Sequence, residues 1–451
     1  MTNENIARVI SWIDTHRGKI ISDFKEFLRI PSLTGEEGKG QEFMIARLRD
    51  LGLEMDIWEP DIQELFTKFP DIAQYPTSWQ PELDLALKFK DICTYEQLAG
   101  SEYADRLTYK GRPNAVGVRK GRGSGRSLIL NGHVDVVTIG DRSRWDHDPF
   151  GAEHLGDTIY GRGASDMKGG IIAMLKALEA VIRSDIPLRG DVVFQSVVNE
   201  EHAGNGSLSC AARGYKADAA ICAEPSGARR YATSSGGGVY WEIVIPGKEV
   251  HTGSRWKDGR LNGISAIEKS APVINALLAQ EAKANADQIK LSLGIGVVKG
   301  GTYATATARD CVLSGVVYFS PAMGTGPAGI RRVKAMFKEA IDHACAGDPW
   351  LSRNRAEVLY LHYDDAYRYP EDAGFLEVLL QSGKDALHAD LEETAFSACD
   401  ARQLGNQAGV PTIIYGPGEL SMAHSVNECV TEGEIIEATK VIAATICNWC
   451  G

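Results

Sequence analysis

The sequence predicts an α/β fold, in which helices cover a β-sheet and a smaller two-layer α+β domain is inserted. Short apolar runs alternate with helical stretches between residues 127 and 223. From about Tyr231 the order changes to strand, helix, strand-like alternation and helix, and residues 347–451 return to the first pattern. The first pattern is typical of a sheet flanked by helices. The second is typical of a small inserted domain.

The N-terminal part of the chain is predicted to contain helices followed by an irregular segment. Apolar residues recur at helical spacing over residues 5–28, with a break expected near Gly18, and again over residues 36–51. Residues 59–112 contain four prolines and several aromatic residues without a regular pattern. We expect this segment to form loops and short helices, and its length is typical of a functional insertion.

The remaining elements follow in chain order. In the main sheet the predicted strands are residues 127–131, 190–198, 219–223 and 412–415, and the predicted helices are residues 169–184, 207–213 and 432–447. In the inserted domain the predicted strands lie at residues 239–245 and within 302–318, and the predicted helices at residues 263–282 and 330–344.

Composition excludes several classes of function. The chain has 451 residues, 44% of them apolar, which suits two or three globular domains. Its net charge of −12 disfavours nucleic acid and anionic membranes as partners. Nine scattered cysteines favour a reducing compartment. The N-terminus lacks a signal-peptide pattern, and no apolar run approaches the about 18–20 residues of a membrane span, so we expect a soluble cytoplasmic protein.

Acidic residues and histidines stand just after the predicted strands or at the start of a helix. Ligands of open α/β sheets bind at the carboxyl ends of strands. Any one of these residues alone would be an ordinary capping or surface residue, but the whole set is best explained by two divalent cations held by imidazole and carboxylate groups. The candidate ligands are His133, Asp166, Glu201, Glu224 and His424.

Two further carboxylates accompany these candidates. Asp135, two residues after His133, can orient the histidine ring. Glu200 stands beside Glu201 and is surplus to the ligand set, so it can take a proton from a water molecule held between two metals.

Several motifs resemble those of the M20 metallopeptidases. They are most similar to the motifs of the acetylornithine deacetylase and succinyl-diaminopimelate desuccinylase branch. The matching stretches occur in the family's order and leave only residues 59–110 and 346–395 largely unmatched. They include LILNGHVDVV, GRGASDMKGG, VVNEEHAGNGS, ICAEPS, VHTGSRWKDGRLNG and YGPGELSMAHSVNE. The resemblance implies a zinc-peptidase-like catalytic domain with a mixed sheet, built from residues 1–229 and 347–451. Residues 230–346 would form a lid and dimerisation domain.

The resemblance also implies a role for each candidate residue. His133 and Glu224 would bind one metal, Glu201 and His424 the other, and Asp166 would bridge the two, with zinc favoured and cobalt or manganese also suitable. Asp135 would support His133, and Glu200 would be the general base. His251, in the lid of a homodimer, would stabilise the oxyanion in the partner subunit's site.

The substrate-binding part of the resemblance is altered. Thr305 and Ala308 stand where family members usually carry Asn and Pro, and Tyr318 stands at the position of a substrate-binding Arg. A hydroxyl cannot replace a guanidinium group on a carboxylate. Arg309 is either a displaced substitute for that arginine or a solvated charge at a strand edge. Arg402 could hold a carboxylate, and Gly416 is also a candidate substrate contact.

These observations predict a two-metal hydrolase that cleaves the amide C–N bond of a small N-acyl amino acid or a related metabolite. Alternatives on the same scaffold are a dipeptidase or carboxypeptidase, and hydrolysis of a non-amide C–N bond such as that of an aromatic amine. A non-catalytic protein is disfavoured because every ligand and the base are present. A serine or cysteine nucleophile is disfavoured because no G-x-S-x-G elbow occurs.

Overall fold

The computed structural model describes residues 2–74, 94–100, 108–202 and 204–451. Contacts within the chain divide these residues into two compact units. The first contains residues 2–74, 98–100, 108–235 and 368–451 apart from residue 203, and the second contains residues 94–97 and 236–367. The second unit therefore runs past the predicted boundary at residue 346, because the strand at Glu357–Asp364 pairs with the sheet of this unit.

Helices account for much of both units. Those of the described residues are α1 Thr2–Thr15, α2 Arg17–Leu28, α3 Gly38–Asp50, α4 Ile62–Lys68, α5 Tyr95–Ala99, α6 Gly169–Arg183, α7 Asn205–Ala212, α8 Ala266–Ala286, α9 Pro327–Ala346, α10 Phe375–Leu387 and α11 Glu432–Cys450. None of these helices has the length and apolar character that a membrane span requires.

The first helical region breaks at His16, two residues before Gly18 and so near the predicted position. The His16 ring stacks on Trp12, and its Nδ1 atom lies 2.7 Å from the Trp12 carbonyl oxygen. His16 has non-helical backbone angles. The ring therefore contacts a carbonyl of the last turn of α1, and α2 starts directly after it.

The strands of the described residues are β1 Glu54–Trp58, β2 Asn114–Arg119, β3 Leu128–His133, β4 Glu153–Leu155, β5 Thr158–Tyr160, β6 Val192–Val197, β7 Ala219–Cys222, β8 Arg230–Tyr231, β9 Ser234–Ser235, β10 Gly237–Pro246, β11 Trp256–Lys257, β12 Arg260–Leu261, β13 Leu291–Gly300, β14 Asp310–Phe319, β15 Glu357–Asp364, β16 Tyr367–Arg368, β17 Glu392–Glu393, β18 Thr412–Ile414 and β19 Cys429–Thr431. Among the strands of five or more residues, sequence patterns missed β1, β2, β13 and β15. The predicted strand-like stretch 302–318 contains one strand, β14.

The first unit is built on a mixed six-stranded sheet in the order β1-β2-β6-β3-β7-β18. β6, β3, β7 and β18 run parallel, whereas β1 and β2 are antiparallel to their neighbours. Every residue of β3 and β6 is buried, as expected for strands covered on both faces. The predicted α/β sheet flanked by helices is confirmed.

The parallel strands end at the same edge of this sheet. His133, the last residue of β3, is opposite Val197 at the end of β6. Cys222, the last residue of β7, is opposite both Asn131 of β3 and Ile414 of β18. The segments that follow these strands therefore emerge side by side, and this edge positions the candidate site.

The second unit is a two-layer α+β structure, as predicted. Its antiparallel sheet has the order β13-β14-β10-β15. Helices α8 and α9 cover one face, where the buried ring of Trp241 from β10 lies 5.2 Å from that of Phe337 from α9. The alternation of side chains along β10 leaves Tyr240 on the opposite face.

Candidate metal centre

Five side chains meet at the carboxyl edge of the main sheet. One comes from the end of β3, two from segments that follow β6 and β7, one from the turn that precedes α6, and one from the loop after β18. They are His133, Glu201, Glu224, Asp166 and His424, the five residues predicted as metal ligands.

The five side chains form two groups that share Asp166. His133 Nε2 lies 3.3 Å from Asp166 Oδ1 and 3.7 Å from Glu224 Oε1. His424 Nε2 lies 3.4 Å from Asp166 Oδ2 and 2.8 Å from Glu201 Oε2. In each group the potential ligand atoms lie within 4.8 Å of one another. The two groups therefore use opposite oxygens of the Asp166 carboxylate.

The hydrogen bonding of both groups, as far as the described residues show it, also points to a cation. His133 Nδ1 lies 2.9 Å from the main-chain oxygen of Asp135, a contact that favours a proton on Nδ1. His133 Nε2 and Glu201 Oε1 are both buried and have no hydrogen-bond partner among the described residues. Unpaired polar atoms are costly to bury. A cation at each group would satisfy them, so the donor set fits a metal centre.

Three carboxylates and two imidazoles lie close together in the cluster, and they shift one another's pKa. Burial opposes ionisation of Asp166, but its contacts with His133 and His424 hold its pKa below the usual range. The carboxylate of Glu201 is the main reason why the pKa of His424 rises to about 11. Burial and the neighbouring Asp166 raise the pKa of Glu224. An acidic cluster of this kind favours bound positive charge, which divalent cations would supply.

Asp135 holds the turn that carries Glu200 and Glu201. Its carboxylate accepts hydrogen bonds from the main-chain N–H of Glu200 at 3.1 Å and of Glu201 at 3.2 Å, and from the Thr34 hydroxyl at 2.9 Å. The same carboxylate is 3.6 Å from His133 Nδ1, so the ring is oriented mainly by the Asp135 carbonyl group. Glu200 Oε2 lies 3.8 Å from His133 Nε2, and burial raises the pKa of Glu200.

A buried tyrosine holds the other side of this turn. Asn199, just before Glu200, has a left-handed φ of 61°. The Tyr109 hydroxyl donates a hydrogen bond of 2.6 Å to Asn199 Oδ1 and accepts one of 2.9 Å from Asn205 Nδ2. The two ends of the segment 199–205 are thus tied to one hydroxyl. Sequence analysis missed Tyr109, which stands at the end of the irregular segment.

Removing this hydroxyl is expected to loosen the turn. Tyr109→Phe removes the hydrogen bond to Asn199 Oδ1 and the one from Asn205 Nδ2, which we expect to cost about 1–3 kcal/mol of the free energy of unfolding. Urea denaturation measures this loss. Tyr303→Phe, at an exposed tyrosine, is the control and is expected to change stability by less than about 0.5 kcal/mol. Equal stability of the two variants would contradict the assigned role.

A second set of residues that sequence analysis missed holds Asp166. Glu428 is fully buried, and its Oε1 accepts main-chain hydrogen bonds from Ser165 at 2.9 Å and Asp166 at 3.0 Å. Its other oxygen pairs with the buried Arg162. The only signal in the sequence was the position of Glu428 within the SVNE stretch after His424.

Arg402 and Gly416 lie near the cluster in the first unit. Arg402 is 3% exposed, and its charge partly offsets the effect of burial on the pKa of Glu200. Gly416 follows β18, where an added Cβ would lie 2.4 Å from the Ala223 carbonyl oxygen and 2.7 Å from that of Glu224. Glycine at this position therefore allows the chain to pass close behind Glu224.

The other predicted site residues belong to the second unit. His251 is exposed, and its Nδ1 accepts a hydrogen bond from the main-chain N–H of Gly253 at 3.1 Å. The next residue, Thr252, donates its N–H to the Thr305 carbonyl oxygen at 2.7 Å. The structure therefore brings His251 and Thr305 together within this unit.

Arg309 and Tyr318 are far apart. Arg309 immediately precedes β14, and Tyr318 is next to the last residue of that ten-residue strand. At about 3.4 Å per residue the two lie about 30 Å apart, so Arg309 does not stand in for an arginine at position 318. The Tyr318 side chain is 44% exposed, and its hydroxyl oxygen lies 3.3 Å from that of Tyr240.

Comparisons with known proteins identify the family and the fold. Residues 129–448 match the model of peptidase family M20/M25/M40. The chain is 33% identical over 368 residues to N-formyl-4-amino-5-aminomethyl-2-methylpyrimidine deformylase of Bacillus subtilis, covering 76% of this chain and 84% of that protein. It is 31% identical over 417 residues to the same enzyme of Halalkalibacterium halodurans, covering 86% and 95%. The fold matches aminopeptidase PepT of Bacillus cereus with a TM-score of 0.69 at 17% identity, covering 96% and 99% of the two chains.

Proposed function

Because the chain belongs to peptidase family M20/M25/M40, we propose that it is a two-metal hydrolase that removes a formyl group from a heteroaromatic amine. The chain is a hydrolase of C–N bonds, as its sequence predicted. The observation that carries the proposal of two metals is the contact of His133 and His424 with opposite oxygens of Asp166.

His133, Glu224 and Asp166 would hold one cation, and Asp166, Glu201 and His424 the other. Imidazole and carboxylate ligands favour zinc, and cobalt or manganese would also suit them. When bound, the cations supply Lewis acidity toward the acyl oxygen and toward water. Asp135 and Glu428 hold the main chain of Glu200, Glu201 and Asp166 by hydrogen bonds, which would keep the ligands oriented toward the cations.

Glu200 would move the proton. Its carboxylate accepts a proton from the attacking water and delivers it to the leaving nitrogen. Burial raises the pKa of Glu200, which favours holding that proton between the two transfers. Arg402 limits this rise and would also orient the substrate together with Gly416.

The proposed substrate class rests on two observations. Two relatives that together cover most of this chain are deformylases of N-formyl-4-amino-5-aminomethyl-2-methylpyrimidine. The second unit carries the uncharged Tyr318 where the resemblance predicts an arginine that holds a carboxylate. An uncharged recognition group suits an aromatic amine better than an amino acid.

The proposal includes a homodimer formed through the second unit, in which His251 and Thr305 contact the reacting group in the partner's site. Val297 and Val298 support it, because both are exposed on β13, an edge strand of the four-stranded sheet. The free backbone groups of an edge strand can pair with a second copy. Analytical ultracentrifugation measures the assembly. The cytoplasm remains the proposed location, on the basis of the cysteine content.

A substrate panel tests the function. The metal-loaded protein is offered N-formyl-4-amino-5-aminomethyl-2-methylpyrimidine, an N-acetyl amino acid and a dipeptide, and each product is quantified by mass spectrometry. We expect kcat/KM for the formyl compound to exceed that for the others by about a hundredfold or more. Preference for the dipeptide would favour the peptidase alternative and refute the deformylase proposal.

A single substitution is expected to shift the specificity. Tyr318→Arg introduces the guanidinium group that the resemblance predicts, so kcat/KM for an N-acetyl amino acid should rise about tenfold, as one charged hydrogen bond allows. Tyr303→Arg adds the same charge at an exposed tyrosine of the same unit and should leave the specificity unchanged. Equal behaviour of the two variants would remove Tyr318 from substrate recognition.

A further inference from the structure

Two cysteines lie directly behind one of the candidate metal ligands. Cys222 is the last residue of β7, and Cys399 immediately precedes Asp400. Both are at most 1% exposed and neither forms a disulfide. Their Sγ atoms and a carboxylate oxygen of Glu224 all lie within 4.8 Å of one another. Two thiols and a carboxylate from two distant segments, residues 222–224 and the segment of Cys399, therefore lie close together.

The spacing of these atoms suits a thiophilic cation. Metal–sulfur bonds of about 2.3 Å in tetrahedral geometry place two sulfur ligands about 3.8 Å apart, within the observed limit. Thiolates prefer soft cations, whereas the histidine and carboxylate groups of the neighbouring centre prefer harder ones. The two sets of ligands therefore differ in the cations that they select.

Glu224 belongs to both sets. Its carboxylate groups with Cys222 and Cys399 on one side and with His133 and Asp166 on the other. A cation held by the thiols would draw this carboxylate away from the His133 group. The metal of that group would then keep only His133 and Asp166 as protein ligands. Loss of a ligand lowers metal affinity.

We propose that Cys222, Cys399 and Glu224 form an inhibitory site for a thiophilic divalent cation such as Cd²⁺. Binding forms two metal–sulfur bonds and one metal–oxygen bond, and the two thiol protons pass to the solvent. The predicted inhibition rests on the proposed function, because it assumes that Glu224 serves the catalytic centre. The binding of the cation to the thiols does not depend on the proposed function.

Spectroscopy tests the site without reference to turnover. The zinc-loaded protein is titrated with CdCl₂, and the ultraviolet charge-transfer absorbance of cadmium–thiolate bonds is followed. Cys222→Ser and Cys399→Ser are each expected to lose most of this band. Cys345→Ser, at a buried cysteine of the second unit, should keep it. A band of equal size in all these variants would overturn the site.

X-ray absorption at the cadmium edge gives an independent result on the unaltered protein, should a variant not fold. Two sulfur ligands on a bound cadmium would support the site, and a shell of only oxygen and nitrogen would overturn it.

Inhibition is then measured on the formyl substrate, where Cys222→Ser should raise the half-inhibitory cadmium concentration about tenfold or more. An unchanged value together with a lost band would overturn the inhibitory role alone. A protein that turns over no substrate contradicts the proposed function and leaves the spectroscopic result valid.

Discussion

Glu200→Gln is expected to lower kcat by about 10²–10⁴-fold, the usual contribution of a general acid–base group. The amide keeps the size of the side chain and the main-chain N–H that Asp135 accepts, but it cannot take a proton from water. The metal content should remain that of the unaltered protein, because Glu200 is not among the five ligands. Steady-state kinetics on the formyl compound, combined with elemental analysis, measure both quantities.

Glu153→Gln is the matched control for this variant. Glu153 is an exposed glutamate of the same unit that contacts His147 at the surface. Its replacement removes the same charge and should leave kcat within about twofold of the original. If Glu200→Gln kept a similar turnover, another group would have to move the proton, and the assignment of Glu200 as base would fail.

Asp166→Asn is expected to weaken metal binding by about a hundredfold or more, because one side chain contributes to both groups of ligands. An amide offers one oxygen and an N–H₂ group, so it cannot present acceptors to both sides. Competition with a chelator measures the affinity, and kcat should fall with the metal content at limiting metal.

Asp390→Asn provides the comparison, since Asp390 is an exposed aspartate that pairs with Lys384. This control removes an acidic group far from the cluster in sequence and should bind metal as the unaltered protein does. Retention of two tightly bound cations by Asp166→Asn would show that this carboxylate does not bridge them.

The position of the five candidate ligands could be predicted because it depends on local patterns. The strands β3, β6 and β7 each begin with a short apolar run. His133 ends β3, Glu200 and Glu201 follow β6 within four residues, and Glu224 follows β7 within two. Parallel strands bring their carboxyl ends to one edge, so the pattern of each strand was enough to bring these residues together.

The residues that hold the ligands in place could not be predicted in this way. Tyr109 contacts Asn199 across 90 positions of sequence, and Glu428 contacts Asp166 across 262. Such contacts arise from the packing of distant segments and leave no periodic signal around either residue. The same holds for Cys222 and Cys399, whose proximity appears only in the folded chain.

Strand β13 of the second unit shows why some strands could not be predicted from the sequence. β13 has the sequence LSLGIGVVKG, in which glycines interrupt the alternation and the second half is exposed. Its pairing with β14 also contains an irregularity between Ile295 and Val297. A strand of this kind is stabilised by its neighbour more than by its own residues, so its pattern did not predict it.

Anomalous diffraction from a crystal of the zinc-loaded protein, measured on both sides of the zinc absorption edge, locates the cations. We expect two anomalous peaks, one on each side of Asp166, with His133 and Glu224 beside one and Glu201 and His424 beside the other. A single peak, or none at Asp166, in crystals of protein that is fully active would contradict the two-metal centre.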